Sequence, residues 1–470
     1  MLPSISNYLL KNARVPLSLL EMKSIAPSAS TIATTATENN FLAVDLEIAA
    51  GAIAQIIPTN TEPLSQLRDI PIVDLQGGLV FPCFVDMHTH LDKGHIWERS
   101  PNPDGTFASA LETVRADAEK HWNAEDVYQR MQFGLKCSYA HGTKAIRTHI
   151  DAAGEQGTIS LAVFEALQAE WGDRLILQAV SLVSLEYYLT PAGEKLADRI
   201  AQIGGILGGV AYMNPDLDKQ LDRVFSLAQE RGLNLDFHTD ENKDPKSTTL
   251  REVAKTAIRH EFSGQIICGH CCSLAVQPPD LVTETLTLVK QANIGIVSLP
   301  MCNLYLQDKQ SGRTPRWRGV TLLHELKAAG IPVAVASDNC RDPFYGFGDH
   351  DVLEVFNMSV RIAHLDRPWE DWPRTVTTTP ADLMGLPNLG RIGVGLPADL
   401  ILFKARNFSE LLSRSQRDRT VLRQGREIDT TLPDYRELDD LLQEDSAVET
   451  ASIQTIPELR GVEERAVKIT

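Results

Sequence analysis

Between about residues 80 and 385 the chain alternates eight times between short apolar runs and longer segments whose apolar positions recur three and four apart. Runs of the first kind suit strands buried on both faces, and segments of the second suit helices lying against them. The strand-like runs are Gly78–Asp86, Ala145–His149, Ile176–Ser184, Gly208–Met213, Leu233–His238, Gln265–His270, Ile294–Pro300 and Pro332–Asp338. Helix-like segments between them include Leu221–Gly232 and Thr249–Phe262, and Gly232 stands where a helix stop is expected. This alternation predicts an α/β fold with a parallel sheet covered by helices, and eight repeats predict closure into a TIM-like (β/α)8 barrel.

The two ends of the chain read differently. Phe41–Leu46 and Ala52–Ile57 are short β-like runs separated by Ser/Thr/Ala and Pro-containing turns, and Ala398–Phe403 and Thr420–Arg426 match them far downstream. A small β-sandwich domain built from both ends, residues 1–75 and 386–430, is therefore expected beside a catalytic barrel at 76–385. The acidic, apolar-poor tail at 431–470 is compatible with a peripheral helix, a contact in a homo-oligomer, or disorder; the sequence does not choose.

Six polar side chains able to bind metal or move protons stand at the ends of five predicted strands: His88, His90, His149, His238, His270 and Asp338. In a TIM barrel the strand C-termini open onto one face, where chemistry occurs. His88 and His90 are two apart, so both point to the same side of their strand and can share one divalent cation. Two ligands are too few for a site, and the other strand ends must supply the rest. One strand-end histidine alone reads as a hydrogen-bonded core imidazole; five of them with an aspartate on the eighth strand read as a metal site. His121, His260, His324 and His364 fall in helix-like or loop segments and carry no such signal.

Composition narrows the function. With 470 residues and 43% hydrophobic content the chain can bury a large core and more than one domain. A net charge of −17 without a block of Lys and Arg argues against nucleic acid and anionic membranes as partners, and favours a small neutral substrate. No apolar run approaches the roughly 18 residues of a membrane span, and Met1–Val15 lacks the basic start and apolar centre of a signal peptide, so a cytoplasmic location is expected. Seven cysteines, an odd number, suggest no disulfide framework and read as reduced, mostly buried thiols.

The strand-end residues also carry a family resemblance. His88-Thr89-His90-Leu91-Asp92, Phe237-His238-Thr239-Asp240-Glu241, Cys268-Gly269-His270, Asn303-Leu304-Tyr305-Leu306-Gln307, Arg318-Gly319-Val320 and the run Ala336 to Tyr345 resemble, in order, the motifs of the cytosine deaminase branch of the amidohydrolase superfamily. The match runs from about residue 70 to 405 and includes Ile392–Leu400, similar to the family's glycine-rich return into its β domain. The resemblance implies a metal-dependent hydrolase that releases ammonia from an aminated pyrimidine or related heterocycle. It implies His88, His90, His238 and Asp338 as ligands of one divalent cation, Zn2+ or Fe2+. A bridging lysine, used by binuclear members, is absent from Gly208–Met213. Asp338 would take a proton from the attacking water, His270 would orient that water, and Glu241 would protonate the ring nitrogen beside the attacked carbon.

Ser184, Asn303, Asn339 and Phe344 fall at substrate-binding positions of the same resemblance. Ser184 stands where cytosine-specific members carry a Gln, and Asn339 where they carry a second Asp. The shorter serine opens space and the amide donates as well as accepts, so cytosine is expected to be a secondary substrate and a larger or differently substituted ring the preferred one. The alternative within the superfamily is an N-alkylamino-triazine (ammelide-type) amidohydrolase; an inactive metal-binding scaffold is disfavoured because the implied ligands and proton-transfer residues are all retained. The unrelated zinc deaminases with His-x-Glu and Pro-Cys-x-x-Cys signatures are excluded, since neither signature occurs.

Overall fold

The computed structural model describes residues 7–21, 40–59, 70–369 and 371–442, so residues 443–470 of the acidic tail lie outside the described residues. The chain divides into two compact units, one comprising Met1–Val85, Ser138–Ala145 and Val352–Leu432, the other Asp86–Cys137, Ile146–Asp351 and Pro433–Thr470.

The first unit is built on two four-stranded sheets. One has the order β3-β2-β1-β4, from β1 (Asn7–Pro16), β2 (Phe41–Ala49), β3 (Ala52–Pro58) and β4 (Ile72–Asp74). The other contains β5 (Val80–Pro82) and the late strands β14 (Leu400–Leu402), β15 (Thr420–Arg423) and β16 (Arg426–Glu427), in the order β16-β15-β14-β5. Tyr8, Leu10, Val44, Leu46 and Ile48 from the first sheet share one buried cluster with Val80, Leu400 and Leu422 from the second. The run Thr420–Arg426, expected as one strand, is a hairpin: Arg423 pairs with Arg426, and Gln424 (φ 47°) and Gly425 (φ 70°) take the left-handed conformations a two-residue turn requires. Strand β1 escaped the sequence reading because its alternation breaks at polar Lys11-Asn12, where the register with β2 shifts between Leu10 and Ala13 and Asn12 has φ 56°.

The second unit carries β6 (Phe84–Thr89), which enters it across the boundary, and β7 (Thr143–Asp151) and β8 (Ile176–Leu182), hydrogen-bonded in that order. It also carries β9 (Leu207–Ala211), β10 (Leu235–Thr239), β11 (Ile266–His270), β12 (Ile294–Ser298) and β13 (Val333–Val335), a five-stranded sheet in sequence order with every pair parallel. Isolated parallel bridges pair Val180 with Ile206, Ser184 with Val210 and Thr89 with Asp338. The apolar run Gly78–Asp86 is thus two strands in two different sheets. Pro82 ends the first, having no N–H to extend a ladder, and Cys83 separates it from β6.

Helices follow the strands in this unit. The predicted helix ending at Gly232 is Leu217–Arg231, with Leu221, Val224, Phe225 and Ala228 buried and Gly232 (φ 64°) as its left-handed cap. The predicted Thr249–Phe262 segment is helical over Thr249–Arg259. All seven cysteines are free and buried. Among the described residues no helix is long and apolar enough to cross a membrane.

Within the first unit, the fully buried Tyr8 hydroxyl donates to the Gly425 carbonyl oxygen at 2.7 Å, joining β1 to the hairpin turn 417 positions later. Tyr8→Phe leaves that carbonyl without its buried donor. It should lower unfolding stability by about 1 kcal/mol in denaturant titration, with metal content unchanged.

Candidate active site

The ends of β6, β10, β11 and β13 converge. His88 lies within β6 and His90 just past it, His238 within β10, His270 at the last position of β11, and Asp338 three residues past β13. Asp338 Oδ1 is 3.2 Å from His90 Nε2 and 3.6 Å from His88 Nε2. His238 Nε2 is 3.4 Å from His90 Nε2. A cation bound at about 2.1 Å to tetrahedral ligands sets neighbouring donor atoms about 3.4 Å apart, so these three spacings are compatible with donors around one cation; His88, His238 and His270, and His88, His90 and His149, also each bring three ligand atoms within 4.8 Å of one another. His88 Nε2 and Asp338 Oδ1 are buried and have no hydrogen-bond partner among the described residues, which is what a cation would correct. The donor set, three imidazoles and one carboxylate, fits zinc or ferrous iron.

The surrounding backbone is shaped for this. The Asp338 N–H donates to the His88 carbonyl oxygen at 2.8 Å, and the preceding Ser337 donates through N–H (3.1 Å) and hydroxyl (2.5 Å) to the two oxygens of buried Asp86. Asp338 (φ 65°), His270 (φ 68°), Cys271 (φ 51°) and Asp240 (φ 50°) are all left-handed, a concentration of backbone strain at one site. Asp240 accepts from Thr249 N (2.8 Å), Thr249 Oγ1 (2.9 Å), Leu250 N (3.0 Å) and Ser247 Oγ (2.8 Å), so it caps the helix Thr249–Arg259 and anchors the turn that presents Glu241. Gly269 belongs to the same design, because a Cβ there would stand 3.0 Å from the His88 ring.

Burial holds His88, His90 and His238 well below the ordinary imidazole range, in the neutral form that binds metal. His270 is pushed down to about 4 for the same reason. Its Nδ1 lies 3.0 Å from Asn303 Nδ2 and 3.3 Å from Glu241 Oε1, while Nε2 has no partner among the described residues. With the Asn303 amide nitrogen as donor, Nδ1 would be the acceptor and Nε2 would carry the proton. Glu241 is raised well above the carboxylate range, by burial first and then by the Asp338 carboxylate, although its side chain keeps 14% exposure and so stays reachable from the cavity.

That cavity has a volume of about 470 Å³, within the range of small-molecule sites. His90, His238, Glu241, His270 and Asp338 line it, and so do Ser184, Asn339 and Phe344. Asn303 is fully buried behind His270 and Glu241 and is not among its lining residues. His149, which carried no assigned role, packs its ring 3.9 Å from that of His88 and has Nε2 3.3 Å from Asp236 Oδ1. Sequence reading passed over Asp86, hidden inside an apolar run, and Lys93 and Asp151, which resemble surface charges. Lys93 is 5% exposed, lines the cavity and pairs with Asp151 at 2.9 Å.

A parallel sheet whose strand ends gather imidazoles, one carboxylate and a raised glutamate beside a cavity defines a metal-dependent hydrolase. Residues 71–130 and 129–428 match the model of the Amidohydrolase family, and the chain belongs to that family, whose superfamily depends on bound metal and whose members hydrolyse C–N bonds. It is 49% identical over 441 residues to the pterin deaminase of Rhizobium rhizogenes (strain K84 / ATCC BAA-868), covering 94% of this chain and 98% of that one. It is 25% identical to the N-isopropylammelide isopropyl amidohydrolase of Pseudomonas sp. (strain ADP), over 71% of this chain and 81% of that one. The crystal structure of 5-methylcytosine deaminase from Klebsiella pneumoniae liganded with 5-fluorocytosine superposes with a TM-score of 0.75 at 25% identity, over 91% of this chain and 98% of that one.

Removing one of four donors tests the ligand set. His238→Ala should lower bound metal well below one equivalent at the catalytic centre and abolish turnover; full occupancy there, measured by elemental analysis with cobalt spectroscopy, would contradict the assignment.

Proposed function

We propose that this chain hydrolytically deaminates a pterin-type ring, replacing the exocyclic amino group of an amino-pyrimidinone edge by a carbonyl and releasing ammonia. The observation that carries this reading is the 49% identity to a pterin deaminase along nearly the whole of both chains. The cavity of about 470 Å³ supports it by leaving room for a two-ring heterocycle. For the scaffold we infer a closed eight-stranded barrel, supported by the bridges Ser184 to Val210 and Thr89 to Asp338, and a β-sandwich, supported by the core cluster common to the two four-stranded sheets.

In this reading His88, His90, His238 and Asp338 hold one divalent cation, zinc or ferrous iron. When bound, such a cation supplies Lewis acidity, bringing the pKa of water from about 15.7 to about 7. Glu241 enters protonated, as its burial and its carboxylate neighbour favour, and gives that proton to the ring nitrogen beside the carbon under attack. The amidine carbon becomes the better electrophile. Asp338 takes the proton of the attacking water, and the His270 Nε2–H donates a hydrogen bond to the oxygen that adds. The proton of the added hydroxyl passes through Glu241 to the amino group, which leaves as ammonia as the carbonyl forms, and the proton that Asp338 took restores Glu241. Asn303 is a positioning residue, holding the His270 tautomer from behind. Ser184 and Asn339 face the ring's polar edge, and Phe344, with Phe107 5.4 Å away in an edge contact, forms an apolar wall for the ring face.

The similarity to the N-isopropylammelide enzyme favours a second reading, hydrolysis of an N-alkylamino-triazine. Ammonia and amine release from pterin, cytosine, isocytosine, ammelide and N-isopropylammelide separates the two. Pterin should exceed cytosine and the triazines by at least about tenfold in kcat/KM, the amount one well-placed polar contact or pocket fit contributes; preference for N-isopropylammelide would replace the proposal with the second reading.

Glu241→Gln keeps shape and hydrogen bonding but cannot donate the carboxyl proton. Metal should stay bound while kcat falls about 100-fold or more. Near-normal kcat in single-turnover measurements would make Glu241 a positioning group instead.

A further inference from the structure

Behind the catalytic loops lies a second cluster of potential ligands. His95, Cys340 and His350 are each 2% exposed, and one donor atom from each lies within 4.8 Å of the others. We propose that these three residues form a separate structural site for a zinc-like divalent cation, whose function is to pin together the two loops that carry His90 and Asp338.

Three observations support this. First, His95 Nε2 and His350 Nε2 stand 3.3 Å apart, a spacing at which one ring hydrogen-bonds the other and which is also close to the separation of about 3.3 Å that two imidazoles adopt on one tetrahedral cation. Second, His95 (φ 63°) and His350 (φ 54°) both hold left-handed backbone, an uncommon conformation for a residue other than glycine. Third, the cluster ties chain segments that already run together: His95 N donates to Cys340 O at 3.1 Å, and Trp97 N to Arg341 O at 2.9 Å. His95 follows His90 by five positions, and Cys340 follows Asp338 by two, so a cation between them would brace the 3.2 Å spacing of His90 Nε2 and Asp338 Oδ1.

The ligand chemistry selects the ion. One thiolate and two imidazoles suit zinc and disfavour magnesium or calcium, which prefer oxygen. Binding replaces the Cys340 S–H bond by a metal–sulfur bond and releases one proton to solvent, which offsets one of the two positive charges brought in. None of the four residues proposed to hold the catalytic cation contributes sulfur, so the two sites differ in a measurable way.

Cobalt(II) loading of the full chain makes that difference visible, because a thiolate-to-cobalt charge-transfer band in the near ultraviolet arises only where cysteine is a ligand. The expected result is two equivalents of cobalt per chain with that band present, the band absent in Cys340→Ser, and the band retained with about one equivalent in His238→Ala. A wild-type protein without the band, or a band that survives Cys340→Ser, would overturn the proposal. Should Cys340→Ser fail to fold, His95→Gln takes its place: the band should be lost with about one equivalent of cobalt, and a band that survives there would overturn the proposal. Loss of the catalytic cation in His238→Ala with the band intact also keeps this inference distinct from the reading of the catalytic site.

Discussion

The constraint on which the catalytic face depends is the confinement of five imidazoles and the Asp338 carboxylate to one patch from which water is almost excluded. The His88 ring centroid lies 3.9 Å from that of His149, 4.6 Å from that of His238 and 5.4 Å from those of His90 and His270. Protonating any one of these rings would place a charge in a low-dielectric site beside others of its kind, so burial favours neutral imidazoles. The carboxylate answers burial in the opposite sense: burial raises Asp338 above the ordinary carboxylate range, and its Oδ1 has no hydrogen-bond partner among the described residues. A divalent cation resolves both problems, because it uses neutral imidazole lone pairs and neutralises the carboxylate.

Three buried carboxylates close to these histidines are hydrogen-bonded. Asp86 is fixed by Ser337, Asp236 by Arg147 at 2.9 Å and by His149, and Asp240 by the N-terminus of the helix Thr249–Arg259. Each stands next to, or bonds to, a residue adjoining the metal cluster. Their hydrogen bonds also hold the left-handed backbone at Asp240 and Asp338, which an exposed loop would relax. Asn303 does the same for His270 with a neutral amide, which fixes a tautomer without adding charge to a crowded electrostatic environment.

Much of this was legible because the strands that deliver the histidines end where their apolar runs end. His238 and His270 close runs that are buried on both faces, and period-two geometry puts His88 and His90 on one side. Legibility failed where one feature of sequence serves two ends. The run Gly78–Asp86 reads as a single strand because its hydrophobicity is continuous, and only the missing N–H of Pro82 hints at the break. Lys93 and Asp151 read as solvated charges because pairing across 58 positions leaves no periodic trace. The bend at Lys11-Asn12 hid β1 for a related reason, since a bulge destroys the alternation by which a strand is recognised.

Asn339 does not line the cavity as an independent group; it is one half of a hydrogen-bonded pair. The Asn339 amide donates to Asp342 Oδ2 at 2.7 Å, and Asp342 Oδ1 accepts from Phe344 N at 2.8 Å and Tyr345 N at 3.2 Å. Asp342 is fully buried, and burial raises its pKa to about 7, so at neutral pH it is divided between an anion and an acid. The amide of Asn339 suits either form as a donor or, through its oxygen, as an acceptor. A carboxylate at 339, the residue that the resemblance to cytosine deaminases sets there, would confront Asp342 with a second anion at hydrogen-bond distance, and one of the two would have to stay protonated. The turn through Phe344 that forms the apolar wall would then depend on that proton. Exchanging this one position would therefore change the wall of the cavity along with its polar edge, because Asn339 and Phe344 are joined through the same Asp342 carboxyl.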